Sequence, residues 1–139
     1  MNENFYNTAF NAAEKKLIKS TTVENYDNGV DGTKAGEDTI DKIFLLSMDD
    51  LVNKKYGFAK DYTKKDKNRI CYPTKYCAAR LSSGENVTKT TDPLWYFLRT
   101  PADYCWSAVS VEFEREVNPQ GRQASWPLGD RPAMIISIK

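Results

Sequence analysis

The 139-residue chain contains no histidine, and this absence excludes several kinds of active site. A Ser-His-Asp or Cys-His nucleophile needs an imidazole as its general base, and His-ligated zinc and haem sites need one as a ligand. Cysteine is also scarce, with only Cys71, Cys77 and Cys105, an odd number without a CxxC pair. The chain therefore makes a poor disulfide framework, and we expect at least two of the three thiols to be small buried apolar residues.

The chain also lacks an excess of charge of one sign and any long apolar run. Its formal net charge is +1, so no overall field indicates nucleic acid or a membrane surface as a partner. No stretch approaches the roughly 18 apolar residues of a membrane-spanning helix, and no apolar signal region follows Met1. We therefore expect no membrane span, and an export signal would have to come from an upstream part of a longer gene.

The length predicts one domain, residues 1–139, with a core of its own. The apolar run at residues 94–98 predicts a strand buried on both faces. Pro101 ends this strand, because proline cannot donate to a sheet ladder. Arg99 lies at the end of the strand, and we expect its guanidinium to hydrogen-bond to carbonyls or to an anion.

Helical spacing and capping residues predict three helices. Residues 4–19 form the first, with apolar residues on one face. Ser47 begins the second, with Asp50 as the acidic partner of the cap, and Gly57 ends it. Pro73 lies in the first turn of a short third helix.

The remaining segments predict strands and long loops. Residues 20–40 are polar and rich in turns, which is typical of a surface loop. Period-two alternation over residues 105–113 predicts a half-exposed strand. Residues 114–129 form a long hairpin or loop with its turn at residues 118–121, and residues 133–138 form the final strand.

Residues 54–69 carry seven basic and two acidic side chains, interleaved with aromatic rings. This pattern is compatible with a patch that binds nucleic acid or another anionic polymer. It is equally typical of a solvated loop, and the balanced overall charge favours that interpretation. We therefore do not expect nucleic acid as the partner.

Three motifs together resemble an uncharacterised domain family that is abundant in gut bacteria. They are Asp-Lys-Ile-Phe-Leu-Leu-Ser at residues 41–47, Trp-Tyr-Phe-Leu-Arg-Thr-Pro at residues 95–101, and Arg-Pro-Ala-Met-Ile-Ile-Ser-Ile at residues 131–138. The family's signatures read approximately D-K-V-F-L-L-S, W-W-L-R-S-P and V-R-P-A-L. Residues 5–10 match as well, so the resemblance spans nearly the whole chain.

That family is similar to the C-type-lectin-like fold, in the branch shared with formylglycine-generating enzymes and diversified target-binding proteins. The resemblance implies an α+β domain with a small twisted antiparallel sheet, two or three helices and long loops. The family usually has further strands upstream of the segment with which this chain begins. Without them the terminal strand would present an unpaired apolar edge, which we expect a second copy, an alternative local strand or an upstream segment to cover.

The resemblance also implies a ligand face on the loops around the C-terminal strands. Its candidate residues are Asp103, Tyr104, Trp106, Arg115, Asn118, Gln120, Arg122 and Trp126. The motif residues Trp95, Arg99, Pro101 and Arg131 would hold the fold instead.

These features favour a non-enzymatic recognition module of a secreted or envelope protein, which binds a protein, peptide or glycan. Tryptophan, tyrosine and arginine are the residues that anchor interfaces. The motifs of calcium lectins are absent, and we expect no metal, cofactor or catalytic residue. Two alternatives stay open: an oxidoreductase of the formylglycine-generating kind that uses Cys77 and Cys105, and anionic-polymer binding through residues 54–69.

Overall fold

The computed structural model describes residues 1–81, 90–112 and 116–138, and only the backbone of residues 80 and 81. The candidate Arg115 and the predicted end of the strand at residue 113 lie outside the described residues. In the described part, the helices are α1 (Asn4–Ala9), α2 (Ala12–Lys15), α3 (Met48–Leu51) and α4 (Lys75–Leu81), with 3₁₀ turns at Lys54–Tyr56 and Lys67–Arg69. The strands are β1 (Thr21–Val23), β2 (Thr39–Asp41), β3 (Phe44–Leu45), β4 (Tyr96–Pro101), β5 (Ser107–Val111), β6 (Val117–Gln123), β7 (Gly129–Asp130) and β8 (Pro132–Ala133).

The largest sheet has four strands in the order β6-β5-β4-β7. The pairs β6-β5 and β5-β4 are antiparallel, whereas β4 and β7 are parallel. Two further antiparallel pairs, β1-β2 and β3-β8, complete the described strands. The chain is therefore a mixed α+β protein with small sheets and a few short helices, which confirms the expected class.

The main core lies between the four-stranded sheet and α3. Its buried residues are Met48, Leu51, Tyr96, Leu98, Ala102, Val109, Val111 and Val117. Along β4 buried and half-buried residues alternate, so the prediction of burial on both faces was too strong. One face of β4 packs on the core, and the other is covered only in part.

The predicted helices are present but are shorter than their apolar spacing indicates. The first is interrupted by an extended residue, Phe10, and Asn11 caps a separate α2. Ser47 and Asp50 form the expected capping box at α3, but the helix ends at Leu51. Gly57 (φ 87°) instead ends the following 3₁₀ turn. The helix prediction was wrong there because Asn53 caps a new turn.

Residues 118–121 are not a turn, because they lie inside β6. Pro119 is tolerated there because β6 is an edge strand of the sheet, and a proline at an edge removes no ladder bond. The side chain of Asn28 donates to the Pro119 carbonyl at 2.9 Å, which blunts this edge. The neighbouring β5 is also not half-exposed, since the successive residues Val109, Ser110 and Val111 are all buried.

The C-terminal segment pairs with residues 17–19 of the same chain. The backbone N–H of Lys19 donates to the Ile135 carbonyl at 2.9 Å, and that of Ser137 donates to the Leu17 carbonyl at 2.8 Å. Only β8 is regular strand there, so the predicted strand over residues 133–138 was too long. Residues 20–40 were predicted as loop, but they contain β1 and the start of β2. None of the described helices is long and apolar enough to cross a membrane.

Candidate ligand-binding groove

An open groove of about 690 Å³ lies where the β4–β5 connection meets the end of β6. The β5–β6 pairing creates it, because Ser107 lies opposite Gln123 and Ala108 lies opposite Arg122. The residues that line it are Asp103, Tyr104, Trp106, Ser107, Gln120, Gly121, Arg122, Gln123 and Trp126. Six of the eight candidate residues therefore come together in one place.

Three aromatic rings line the groove, those of Tyr104, Trp106 and Trp126. Tyr104 and Trp106 stack with their ring centroids 5.2 Å apart and their planes 13° from parallel. Their exposed fractions are 56% and 55%, and that of Trp126 is 41%. The backbone holds these rings in place, since the N–H of Ser107 donates to the Tyr104 carbonyl and that of Ala124 to the Trp106 carbonyl, both at 2.8 Å.

The guanidinium of Arg122 is held from three sides. Its Nε and one terminal nitrogen donate to the two carboxylate oxygens of Glu112 at 2.8 and 2.9 Å. Its central carbon lies 5.3 Å from the ring centroids of both Trp95 and Trp126. Such a bidentate, stacked arginine is a rigid part of the wall, and its charge is already balanced by Glu112.

The pKa of Glu112 reflects this pairing. Burial acts to raise the pKa of the carboxyl, but hydrogen bonds from Arg122 and Asn118 and the charge of Arg122 outweigh burial, so the pKa lies below its ordinary value. The same hydrogen bond raises the pKa of Arg122. Both groups are therefore ionised at neutral pH.

Asn118 does not line the groove. Its amide nitrogen donates to Glu112 at 2.6 Å, and its side-chain oxygen accepts the backbone N–H of Gln120 at 3.1 Å. It supports the ion pair from behind, so its place in the structure is that of a positioning residue.

Gly121 forms the floor of the groove at a bulge in the β5–β6 pairing. Its φ is +66°, and a Cβ at this position would lie 2.2 Å from the Ala108 carbonyl oxygen and 2.8 Å from the Ala102 Cβ. Only glycine fits this conformation and this close approach.

Three polar side chains leave their hydrogen-bonding groups open to the groove. Asp103, Gln120 and Gln123 make no side-chain hydrogen bond or ion pair with the described residues. A carboxylate accepts hydrogen bonds, and each amide both donates and accepts them. The groove therefore offers a mixed set of polar groups beside the aromatic rings.

Comparison with known protein families identifies the family of this chain. The profile of a family described as "Domain of unknown function (DUF6273)" matches residues 1–138. The chain belongs to the DUF6273 family. No curated protein and no solved structure matches the chain. The match agrees with the expectation of an uncharacterised family that spans nearly the whole sequence.

The arginines of the second and third sequence motifs, Arg99 and Arg131, bind the backbone, as the sequence predicts for Arg99. One terminal nitrogen of Arg99 donates to the Leu45 carbonyl at 2.8 Å and to Asp50 at 2.7 Å, and the other donates to the Glu24 carbonyl at 2.8 Å. Arg131 donates to the Asn68 carbonyl at 3.3 Å and to the Tyr96 hydroxyl at 3.2 Å.

The other two motif residues lie close to the groove. The carbonyl of Pro101 accepts from the Asn28 side chain at 3.0 Å. Trp95 is half-buried and packs its ring against Arg122. Trp95 therefore packs on the arginine that forms part of the wall of the groove.

The thiols of the DUF6273 domain are distributed differently from the prediction. Cys105 is exposed, and Cys71 and Cys77 are half-buried, so none is a fully buried core residue. Cys71 and Cys77 line a second cavity of about 620 Å³, whereas Cys105 does not line it. Burial raises the pKa of both half-buried thiols. They are protonated at neutral pH, which makes them weak nucleophiles.

Sequence reasoning missed Arg69, which it counted among the surface charges of residues 54–69. Its side chain is fully buried, and it donates to five backbone carbonyls. The only available signal was the residue type, since Arg69 is the single arginine among the lysines of that segment. A guanidinium offers five donors in a rigid plane, which suits a cage of carbonyls better than an ammonium does.

Proposed function

We propose that this DUF6273 domain is a non-enzymatic binding module, and that its ligand, a protein, peptide or glycan, occupies the groove beside β6. The observation that carries the proposal is the convergence of three half-exposed aromatic rings in one open groove with polar side chains that pair with none of the described residues. Tryptophan and tyrosine contribute large contact areas at a small cost in side-chain entropy. Exposed rings gathered at one place, rather than scattered singly, are typical of binding surfaces.

Rigid support behind the groove favours binding over a merely exposed surface. Glu112, Arg122 and Asn118 form one hydrogen-bonded set behind the rings. The side chain of Trp126 packs on that set through the guanidinium. A wall that is ordered before the ligand arrives lowers the entropy lost on binding.

For the fold we propose the C-type-lectin-like arrangement, in the branch that carries its ligand face on C-terminal loops. The order and spacing of the three motifs support it, together with a groove built from the segments that such a face would use. The same resemblance favours a gut-bacterial source and a place in a secreted or envelope protein. Within this chain, residues 17–19 pair with the terminal edge at residues 135–137.

Binding of the purified domain to an array of glycans and envelope proteins tests the proposal. We expect selective binding that Trp106→Ala and Tyr104→Ala each weaken strongly. Tyr56→Ala is the matched control, because Tyr56 is 63% exposed and lies outside the groove.

Circular dichroism of each variant confirms that it folds. Binding that survives in both groove variants, or that Tyr56→Ala removes to the same extent, would contradict the proposed site. Absence of binding by the unmodified domain across the array would count against a recognition function as a whole.

A further inference from the structure

We propose that the groove takes a carbohydrate, specifically a neutral pyranoside chain with equatorial substituents, and binds it without calcium. This inference rests on the proposed function, since it names the class of ligand for the same site. Three features of the lining carry it: the stacked rings, the balance of charge, and the kind of polar group beside the rings.

The stacked pair suits a flat, weakly apolar ligand. Tyr104 and Trp106 are nearly parallel and stacked on each other, and both stay more than half exposed, so the stack leaves aromatic surface open to a ligand. A pyranose ring with equatorial hydroxyls presents its axial C–H bonds as a flat face of similar size. Among the described residues no aliphatic side chain lines the groove, so it holds no apolar pocket for a leucine or isoleucine anchor.

The charge at the groove disfavours anionic ligands. Arg122 is the only basic residue among the described residues that line it, and Glu112 already balances its charge. Asp103 is exposed and forms no ion pair with the described residues. Among the described lining residues, phosphate groups would meet the unpaired carboxylate of Asp103 and no free cation, which argues against nucleic acid although its bases also stack on aromatic rings.

The polar groups distinguish a sugar from a proline-rich peptide, the other common ligand of aromatic grooves. A polyproline segment has carbonyl acceptors but no N–H at its prolines. Asp103 accepts hydrogen bonds only, so such a peptide gives it no partner. Sugar hydroxyls both donate and accept, and they match Asp103, Gln120 and Gln123 together.

Calcium is not required by this arrangement. Among the described residues, no group of three or more acidic or cysteine side chains is placed to hold a metal ion. Binding then depends on stacking and on direct hydrogen bonds. It should be insensitive to a chelator and to ionic strength.

Titration of the domain with soluble ligands, followed by calorimetry and tryptophan fluorescence, tests the inference. The probes are cellohexaose, xylohexaose and chitohexaose, with decaproline and a thymidine decamer as competitors of other classes. Trp106 and Trp126 line the groove and Trp95 packs on Arg122, so all three tryptophans report on it. We expect saturable binding of at least one oligosaccharide, unchanged by EDTA and by an increase in salt from about 50 to about 300 mM.

Variants locate the binding. We expect Tyr104→Ala and Trp106→Ala each to weaken it by about tenfold or more, Asp103→Asn to weaken it by less, and Tyr56→Ala to change it by less than about twofold. Failure of all three oligosaccharides to bind would overturn the inference. Binding of decaproline or of an array protein that Tyr104→Ala removes would also overturn it, while it would leave the proposed function intact. Oligosaccharide binding that persists in both aromatic variants would show that the sugar site is not this groove.

Discussion

The buried guanidinium of Arg69 holds residues 51–69 onto the core, and its removal should cost a large part of the stability of the domain. Its Nε donates to the Leu51 carbonyl at 3.1 Å. Its terminal nitrogens donate to the carbonyls of Ala59, Asp61, Tyr62 and Lys64 at 2.7 to 3.4 Å. One side chain therefore closes a loop whose Phe58 and Tyr62 are only partly buried against the core.

The expected loss for Arg69→Met is about 4 kcal/mol. Methionine fills much of the volume but donates no hydrogen bond, so five carbonyls and the carboxylate of Asp66, 4.0 Å from Nε, lose a partner. Each hydrogen bond to a charged group contributes about 1.5–3 kcal/mol, but the loop can move its outer carbonyls into water. The loss then falls in the range of about 3–5 kcal/mol found when one partner of a buried charged network is removed.

Urea unfolding at neutral pH, followed by tryptophan fluorescence, measures the effect. The loss is large against the roughly 5–15 kcal/mol that stabilises a domain, and in thermal unfolding we expect the Tm to fall by more than about 10 °C. Arg69→Lys should lose about half as much, since an ammonium keeps the charge with three donors. Lys64→Met is the control, because the Lys64 side chain is 76% exposed and should contribute less than about 0.5 kcal/mol. If Arg69→Met were no less stable than Lys64→Met, the hydrogen-bonded cage would not hold the loop.

Two further predictions concern the groove. Gly121→Ala should lower the free energy of unfolding by about 2–3 kcal/mol, measured by thermal unfolding, because its Cβ would lie 2.2 Å from the Ala108 carbonyl oxygen at a φ of +66°. Gly36→Ala is the control and should change stability little, since nothing lies within 4 Å of a Cβ there. Equal losses in the two variants would contradict the close approach at Gly121. The pKa of Glu112 lies below its ordinary value of 4.5, so the stability from its pairing with Arg122 is complete above that pH and is lost as the pH falls through the lowered pKa. Urea midpoints measured between about pH 7 and pH 3 should therefore fall less in Glu112→Gln than in the unmodified domain, and identical slopes would contradict the role of the pair.

Local chemistry could be predicted from the sequence wherever it depends on neighbouring residues. The cap at Ser47 and Asp50 needs only a side chain and a backbone N–H three residues away, so the pattern identifies it directly. The donor role of Arg99 follows from its position at the end of an apolar strand. The class of the fold and the family also follow from patterns along the chain, because apolar periodicity and motif order are properties of the sequence itself.

The location of the groove was anticipated through the resemblance rather than from the residues alone. It was expected on loops, and residues 118–121 were interpreted as a turn. Their strand conformation depends on pairing with β5 and on the hydrogen bond from the Asn28 side chain to the carbonyl of Pro119, which lies 91 residues later in the sequence. Local sequence propensity cannot reveal a partner so distant in sequence, so the tertiary structure decides that residues 118–121 form a strand.

Tertiary structure also decided which charges are free and which are held in place. In sequence Arg69 resembles the lysines around it, and Arg122 resembles a ligand-binding cation, yet five carbonyls enclose the first and Glu112 balances the second. The sequence shows how many hydrogen-bond donors each of these side chains has. Burial and partners depend on how distant segments pack, because the cost of removing a charge from water is offset only by groups that the fold brings within hydrogen-bond distance.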